Sequence, residues 1–453
     1  MIKLNMKERR ELILNGNTFK TLLFLSIPII VMALVGAMIP FTDGLFLNNI
    51  IGAKRVAAIT YVKPAIDIML GLSAGLGVAA MAMIGQIVGR GDVEEVKNVS
   101  LQILVFSIFC GIFTIPISIL VALYMSSTVD ISMSNDVFIY VSLYSVVLPF
   151  QFLAAIFNAL KNATGNPESP FYRMVVLLLL KIFFNYIFLS TLKMDIKGAV
   201  IASFFAYFLT GIWMYYDLFI KDYLYKLDIR KYYINIKIIK ELVRVGFPSM
   251  LNYMMVSLGF LMINMEMKKY GSTLLGGIGI AGYINGISFQ VPASIGVAVT
   301  TMISLNIGVG NKKKAKESFL IGMLFCLSIS VITLLLILPF LDFYTKLFSK
   351  KELDILFIAK ESLAIFTYAI IPFGIFTICQ SALNGLGRTT IPLIMGFMRI
   401  WLFRYIFIIL TENSLSYYSF FYGNLFSNVL AALIFIVIVF RIKWESGINY
   451  GKK

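Results

Sequence analysis

The chain has 453 residues, 59% of them hydrophobic and 14% charged, with a formal net charge of +16 and a mean hydropathy of +0.89. A soluble domain carries about a quarter charged residues, so the composition excludes one, and positive charge set between apolar blocks points to anionic lipid and not to nucleic acid. The sequence holds no His, phosphate loop, nucleophile elbow or zinc motif, which argues against an enzyme and against ATP hydrolysis by this chain.

A charged arm, "MIKLNMKERRELILNGNTFK", opens the chain and runs into a full-length apolar span without a small-residue cleavage site. Blocks of bilayer length then recur and predict twelve helices, over 20–49, 59–87, 99–124, 136–160, 171–191, 198–219, 246–267, 274–306, 318–341, 361–384, 391–410 and 417–440. The short alternating segments of an outer-membrane barrel are absent. With the amino terminus inside, 25 Lys and Arg fall in cytoplasmic segments and 10 in outer loops. The stretch "KDYLYKLDIRKYYINIKIIKELVR" alone contributes seven. This asymmetry predicts a multi-pass protein of the cytoplasmic (inner) membrane with both termini cytoplasmic. The abundance of Ile, Lys, Asn, Phe and Tyr fits an AT-rich prokaryotic genome. Cys110, Cys326 and Cys379 lie inside spans, where they read as packing thiols.

Laying each residue over the one about 220 positions later reveals a repeat. Pro28 meets Pro248, "GRGDVEEVK" (Gly89–Lys97) meets "GVGNKKKAK" (Gly308–Lys316), and "ALKNATGNPESP" meets "ALNGLGRTTIP". "NYIF" from Asn185 meets "RYIF" from Arg404. Apolar sequence matches Leu to Ile by chance, but does not keep Pro, Gly and loop chemistry in phase. The predicted fold is therefore all-α integral membrane, twelve transmembrane helices in two pseudo-symmetric six-helix bundles. The expected division is a first lobe over 1–220, a basic cytoplasmic linker over 221–245 and a second lobe over 246–453. Six helices per half give both halves one orientation, with a cavity between them and rocking as the natural motion.

Asp43 lies in "VGAMIPFTDGLFLNNIIG", an otherwise almost wholly apolar run. An upright first helix would carry it about 35 Å past Lys20, to the outer interface of a bilayer core of about 30 Å. A tilt or bend near Gly36 and Pro40 would keep it within the span, where an acid faces a cavity and marks an ion or substrate path. There it could exchange protons or, with oxygen neighbours, hold Na+. Lys63 and Asp67 are spaced for a pair within the second helix. Lys181, Arg399 and Arg404 lie in the fifth and eleventh helices and need water or a partner.

In these features the sequence resembles the multidrug and toxic compound extrusion (MATE) family. The resemblance runs from about residue 20 to 440 and rests on Pro28 to Asp43, "GRGD", "ALKNATGNPESP", "DIKGAVIAS", "GVGN" and "ALNGLGRTTIP", in order. It implies export of organic, often cationic, compounds in exchange for Na+ or H+, with no other cofactor and no resident metal beyond a Na+ at Asp43. In one branch of the family the first-helix acid clusters with positions that map to Asn158, Asn185, Leu189 and Ser203. Leu189 replaces a carboxylate there, which weakens a Na+ site of that type. A second branch uses acids on helices 7 and 10. Here helix 10 has none, and Glu266 sits beside Lys268 and Lys269 as a surface carboxylate would; Asn264 holds the repeat position of Asp43. Asp67, Gln290, Gln380, Arg399 and Arg404 are the candidate residues of the substrate cavity.

The expected function is secondary active efflux driven by H+ or Na+, with Asp43 as the coupling carboxylate and alternating access by rocking of a monomer's two lobes. The basic second lobe is odd for a pump of organic cations: Arg404 pairs with an acid, or the cargo is anionic or zwitterionic. The other reading is a lipid-linked precursor flippase from a related superfamily, which would also use a basic cavity.

Overall fold

The apolar blocks fold as helices, and no strand occurs among the described residues. The computed structural model describes residues 5–47, 50, 53–129, 131–221, 224–346 and 353–450. After a short amino-terminal helix, Met6–Asn15, twelve crossings follow. The first six are Thr18–Phe46, Tyr61–Arg90, Val93–Ser127, Met133–Ala163, Glu168–Thr191 and Asp195–Ile220. The seventh to ninth are Ile236–Met267, Thr273–Gly308 and Lys312–Lys346. The tenth is a pair, Leu353–Tyr368 and Ile370–Gly385, bent by 45°, and the last two are Thr390–Leu415 and Tyr418–Arg441. The expected last residues of the first span, 48 and 49, lie outside the described residues.

The repeat is a repeat of loop geometry. Asp92 and Asn311 cap the third and ninth spans, each side-chain oxygen accepting a backbone N–H three residues on at 3.0 Å. Immediately before them Gly91 and Gly310 have φ of +81° and +79°. Gly165 and Gly387, at the ends of the fourth and tenth spans, have φ of +72° and +74°. Just past these, Asn166 N donates to Lys161 O at 2.8 Å and Arg388 N to Leu383 O at 2.9 Å. This is the left-handed helix terminus that only Gly adopts without strain.

The seventh span begins at Ile236, inside the stretch expected as linker to residue 245. Its first turns are highly charged, but Ile238, Leu242 and Val245 share one buried face. Packing of that face makes helix where the run of charge reads as loop.

The halves meet most closely at the end that carries the "GRGD" and "GVGN" loops. A Cβ at Gly89 would collide with Leu305 O, and one at Gly308 with Gln86 O. Gln86 Nε2 donates to Gly385 O at 3.1 Å. The segment 443–450 crosses this end. Ser446 Oγ donates to Gln86 Oε1 (2.7 Å), Lys312 Nζ to Glu445 Oε1 (2.8 Å), and Asn449 N to Glu241 Oε1 (2.6 Å). Arg10, on the amino-terminal helix, donates to Val88 O and Gly89 O. Toward the other end Gly279, Gly282 and Gly286 of the eighth span have open space where a side chain would be. The second and seventh spans also touch farther from the loops, where a Cβ at Gly75 would collide with Met250.

Candidate functional site

A cavity of about 690 Å³ lies chiefly in the first half. Its wall includes Pro40 and Asp43 of the first span, Lys63 and Asp67 of the second, and Asn158 of the fourth. The fifth span contributes a stripe, Arg173, Leu177, Lys181 and Asn185. Those four are each one helical turn apart, so they share one face. Ser203 and Tyr207 come from the sixth span, and Tyr140, Tyr144 and Tyr283 add an aromatic surface.

Asp43 is the hub. Asn185 Nδ2 donates to its Oδ1 at 2.7 Å, and Lys181 Nζ lies 2.9 Å from its Oδ2. Lys181 also donates to Ser203 Oγ at 2.6 Å. Lys181 is buried, with 3% of its side chain exposed, whereas Asp43 retains 26% toward the cavity. Ser203 stands eight residues into the sixth span, a depth of about 12 Å at 1.5 Å per residue. Asp43 therefore reaches inward and not to the interface, which an upright first span would have required.

Of the four positions expected to surround the cation, Asp43 and Asn185 meet directly and Ser203 joins them through Lys181. Asn158 lines the same cavity, and its Oδ1 is buried without a hydrogen-bond partner. Leu189 is buried against Leu47 and Ala199 and closes the site with carbon. Asp67 lies in the cavity wall with Lys63, but the two make no ion pair within 4.0 Å among the described residues. Gln290 is exposed, Gln380 is half-buried, and neither lines this cavity.

Arg399 and Arg404 belong to the second half, on a π-helical stretch, Met398–Tyr405, of the eleventh span. Both are buried, at 9% and 7% exposure. Arg399 Nη1 donates to Asn428 Oδ1 at 3.0 Å, and its guanidinium lies 4.7 Å from the ring centre of Phe376 and 5.5 Å from that of Phe373. Arg404 lies 5.3 Å from the Phe260 ring centre. Neither has a carboxylate partner among the described residues, so the expected pairing of Arg404 with an acid is corrected. The acid that could have supplied it, Glu266, is paired with Lys269 and accepts from Tyr405, the surface arrangement expected of it; the Lys268 side chain lies outside the described residues.

Sequence reading missed Arg173, whose Nε and Nη1 are buried without hydrogen-bond partners. Its signal was available as the four-residue spacing with Lys181 and Asn185. Tyr140 and Tyr144 share that spacing, whereas Tyr283 comes from the second half and carries no such signal.

Comparison with known proteins places this architecture. The MatE family model matches residues 28–187 and 248–410, one match in each half. The probable multidrug resistance protein YoeA of Bacillus subtilis is 23% identical over 367 residues, 78% of each chain. An FAD transporter of Shewanella oneidensis is 22% identical over 409 residues, covering 87% of this chain and 88% of its own. A crystal structure of MATE in complex with MaL6 superimposes with a TM-score of 0.90 at 20% identity, covering 94% of this chain and 97% of that one. The chain thus belongs to the MatE family, the multidrug and toxic compound extrusion transporters, and is not an enzyme.

Proposed function

We propose that the chain exports small organic molecules by secondary active transport, with a proton on Asp43 as the coupling ion. The observation that carries this is the contact of Asp43 with Lys181 and Asn185 in the wall of a cavity. Relatives named multidrug resistance proteins support small-molecule cargo. The positive-inside pattern puts the loop-bearing end and both termini in the cytoplasm, so that the cavity faces outward. The halves 1–220 and 246–453 rock about their contact, exchanging access between the two ends.

The ammonium of Lys181 favours H+ over Na+ in this reading. It occupies one oxygen of Asp43 and the Ser203 hydroxyl, two of the ligands a Na+ would need. Leu189 offers no oxygen to replace them. A proton needs no such shell. Arriving on Asp43, it cancels the carboxylate charge and leaves buried Lys181 without its counterion. Breaking a buried ion pair costs about 3–5 kcal/mol, and the partial exposure of Asp43 puts this pair at the low end. Reversing a 1:99 preference fully takes about 5.5 kcal/mol, so protonation supplies a large part of the bias needed to switch access. The other charged and titratable groups facing Asp43 across the cavity are Lys63, Asp67, Arg173, Tyr140, Tyr144 and Tyr207. None of them is within ion-pair distance of it.

Efflux of fluorescent organic dyes from proteoliposomes tests this reading under two separated gradients. A pH gradient in Na+-free buffer should drive efflux. A Na+ gradient at equal pH should add nothing. Efflux driven by Na+ alone would overturn proton coupling.

A further inference from the structure

The second half carries a cluster at the position that its twin occupies in the first. At spacings of 219 to 222 residues, Phe260 overlays Pro40, Phe373 overlays Gln151, Phe376 overlays Ala154 and Arg404 overlays Asn185. Each of those first-half residues lines the Asp43 cavity. The repeat thus turns the same inner face of the second half toward the gap. It puts Arg404 and three phenyl rings at positions that line the cavity in the first half, with Arg399 held over two of those rings.

Arg399 and Arg404 are more than nine-tenths buried, and the Nε of each has no hydrogen-bond partner. Among the described residues their close compensation is Asn428 and the faces of Phe260, Phe373 and Phe376. Phe is a weak ring partner for a cation and restores only part of what desolvation removes. The other second-half acids nearby in sequence are engaged at the outer end, Glu266 by Lys269 and Tyr405 and Glu412 by Tyr270. On the first half, Asp43 is already matched by Lys181, and Lys63, Arg173 and Asp67 line the same cavity. Among the described residues, these two groups together hold five cations, Lys63, Arg173, Lys181, Arg399 and Arg404, against two carboxylates, Asp43 and Asp67. An organic cation would enter against this field.

We infer that Arg399 and Arg404 bind the acidic group of the cargo, and that the cargo class is organic anions bearing a carboxylate, sulfonate or phosphate on an aromatic frame. The guanidinium forks match such oxyanions two oxygens at a time. Phe260 and Phe373, the latter stacked on Phe289 at 4.2 Å between ring centres, offer the frame an aromatic bed. This names the cargo of the exporter proposed above and rests on that reading.

The test is equilibrium binding to the purified full chain in detergent, read by dye anisotropy with no gradient imposed. Fluorescein, an aromatic dianion at neutral pH, should bind, and ethidium should not. Arg404→Gln and Arg399→Gln should each weaken fluorescein at least tenfold, and Arg404→Lys should recover part of the loss. If a Gln variant does not fold, displacement of fluorescein from wild type by benzoate, but not by an uncharged aromatic amide, decides the same point. Equal fluorescein affinity in wild type and Arg404→Gln would overturn the assignment. So would ethidium binding to wild type as tightly as fluorescein does. Faster flipping of a labelled anionic phospholipid in proteoliposomes, without fluorescein binding, would assign the arginines to a lipid headgroup and overturn soluble cargo. Proton coupling fails separately: a pH-driven exporter that binds ethidium sinks only this inference, and fluorescein binding without pH-driven efflux sinks only the coupling.

Discussion

Asp43→Asn should lower pH-driven dye efflux in proteoliposomes by at least about a hundredfold while leaving a monodisperse, folded protein. The substitution keeps the size of the side chain and its ability to accept from Asn185 Nδ2, now at 2.7 Å. It removes the one property the mechanism needs, a charge that a proton can cancel. Lys181 keeps Ser203 but loses its counterion in both access states, so the difference between them vanishes, and an ion acts on an equilibrium only through such a difference. The control is Asp43→Glu, which retains an ionisable group and should keep a measurable fraction of the rate. Undiminished efflux by Asp43→Asn at equal protein content would remove Asp43 from the coupling step.

The second large effect is expected at Lys181. Lys181→Ala should cost pH-driven efflux at least tenfold and, in the same variant, create a response to Na+ that wild type lacks. Once the ammonium is gone, Asp43 faces Ser203 Oγ and two buried oxygens without partners, Asn185 Oδ1 and Asn158 Oδ1. That is an oxygen set suited to a hard monovalent cation. A site of about 10 mM affinity would add about 1.4 kcal/mol of stability at about 100 mM Na+. The measurement is the melting temperature in NaCl against choline chloride. A Na+-dependent rise confined to Lys181→Ala is the expected result. Equal stabilisation of wild type would show that Lys181 does not occupy the cation's place.

The parts of this molecule that local chemistry determines were legible in the sequence. Span lengths follow from apolar run lengths, and the repeat follows from Gly91, Gly165, Gly310 and Gly387, because a left-handed helix terminus admits almost nothing else. Two isolated facts were also legible: Asp43 needs company, and Lys181 is expensive where it stands. Their pairing was not, because 138 positions separate them and no periodicity relates one helix to another. Arg173 lay within reach, since its spacing to Lys181 and Asn185 places all three on one face. The π-helical turns at Tyr186–Thr191 and Met398–Tyr405 have no residue signature comparable to Pro or Gly. They adjoin Asn185 and contain both second-half arginines, so the geometry of each candidate site depends on a feature that tertiary packing alone creates. The onset of the seventh span at Ile236 failed for the related reason that a charged first turn masked a buried face.

The segment 443–450 ties together the second, seventh, ninth and tenth spans at the loop end through Gln86, Glu241, Arg244, Lys312 and Leu386. Any opening of that end must give up several of these hydrogen bonds, each with a net value of about 1 kcal/mol. In the proposed cycle, the time spent with the cavity outward would thus be governed partly by a peripheral strap far from any cargo. Turnover can be retuned by substitutions there while selectivity stays fixed, which separates the clock of the machine from its lock.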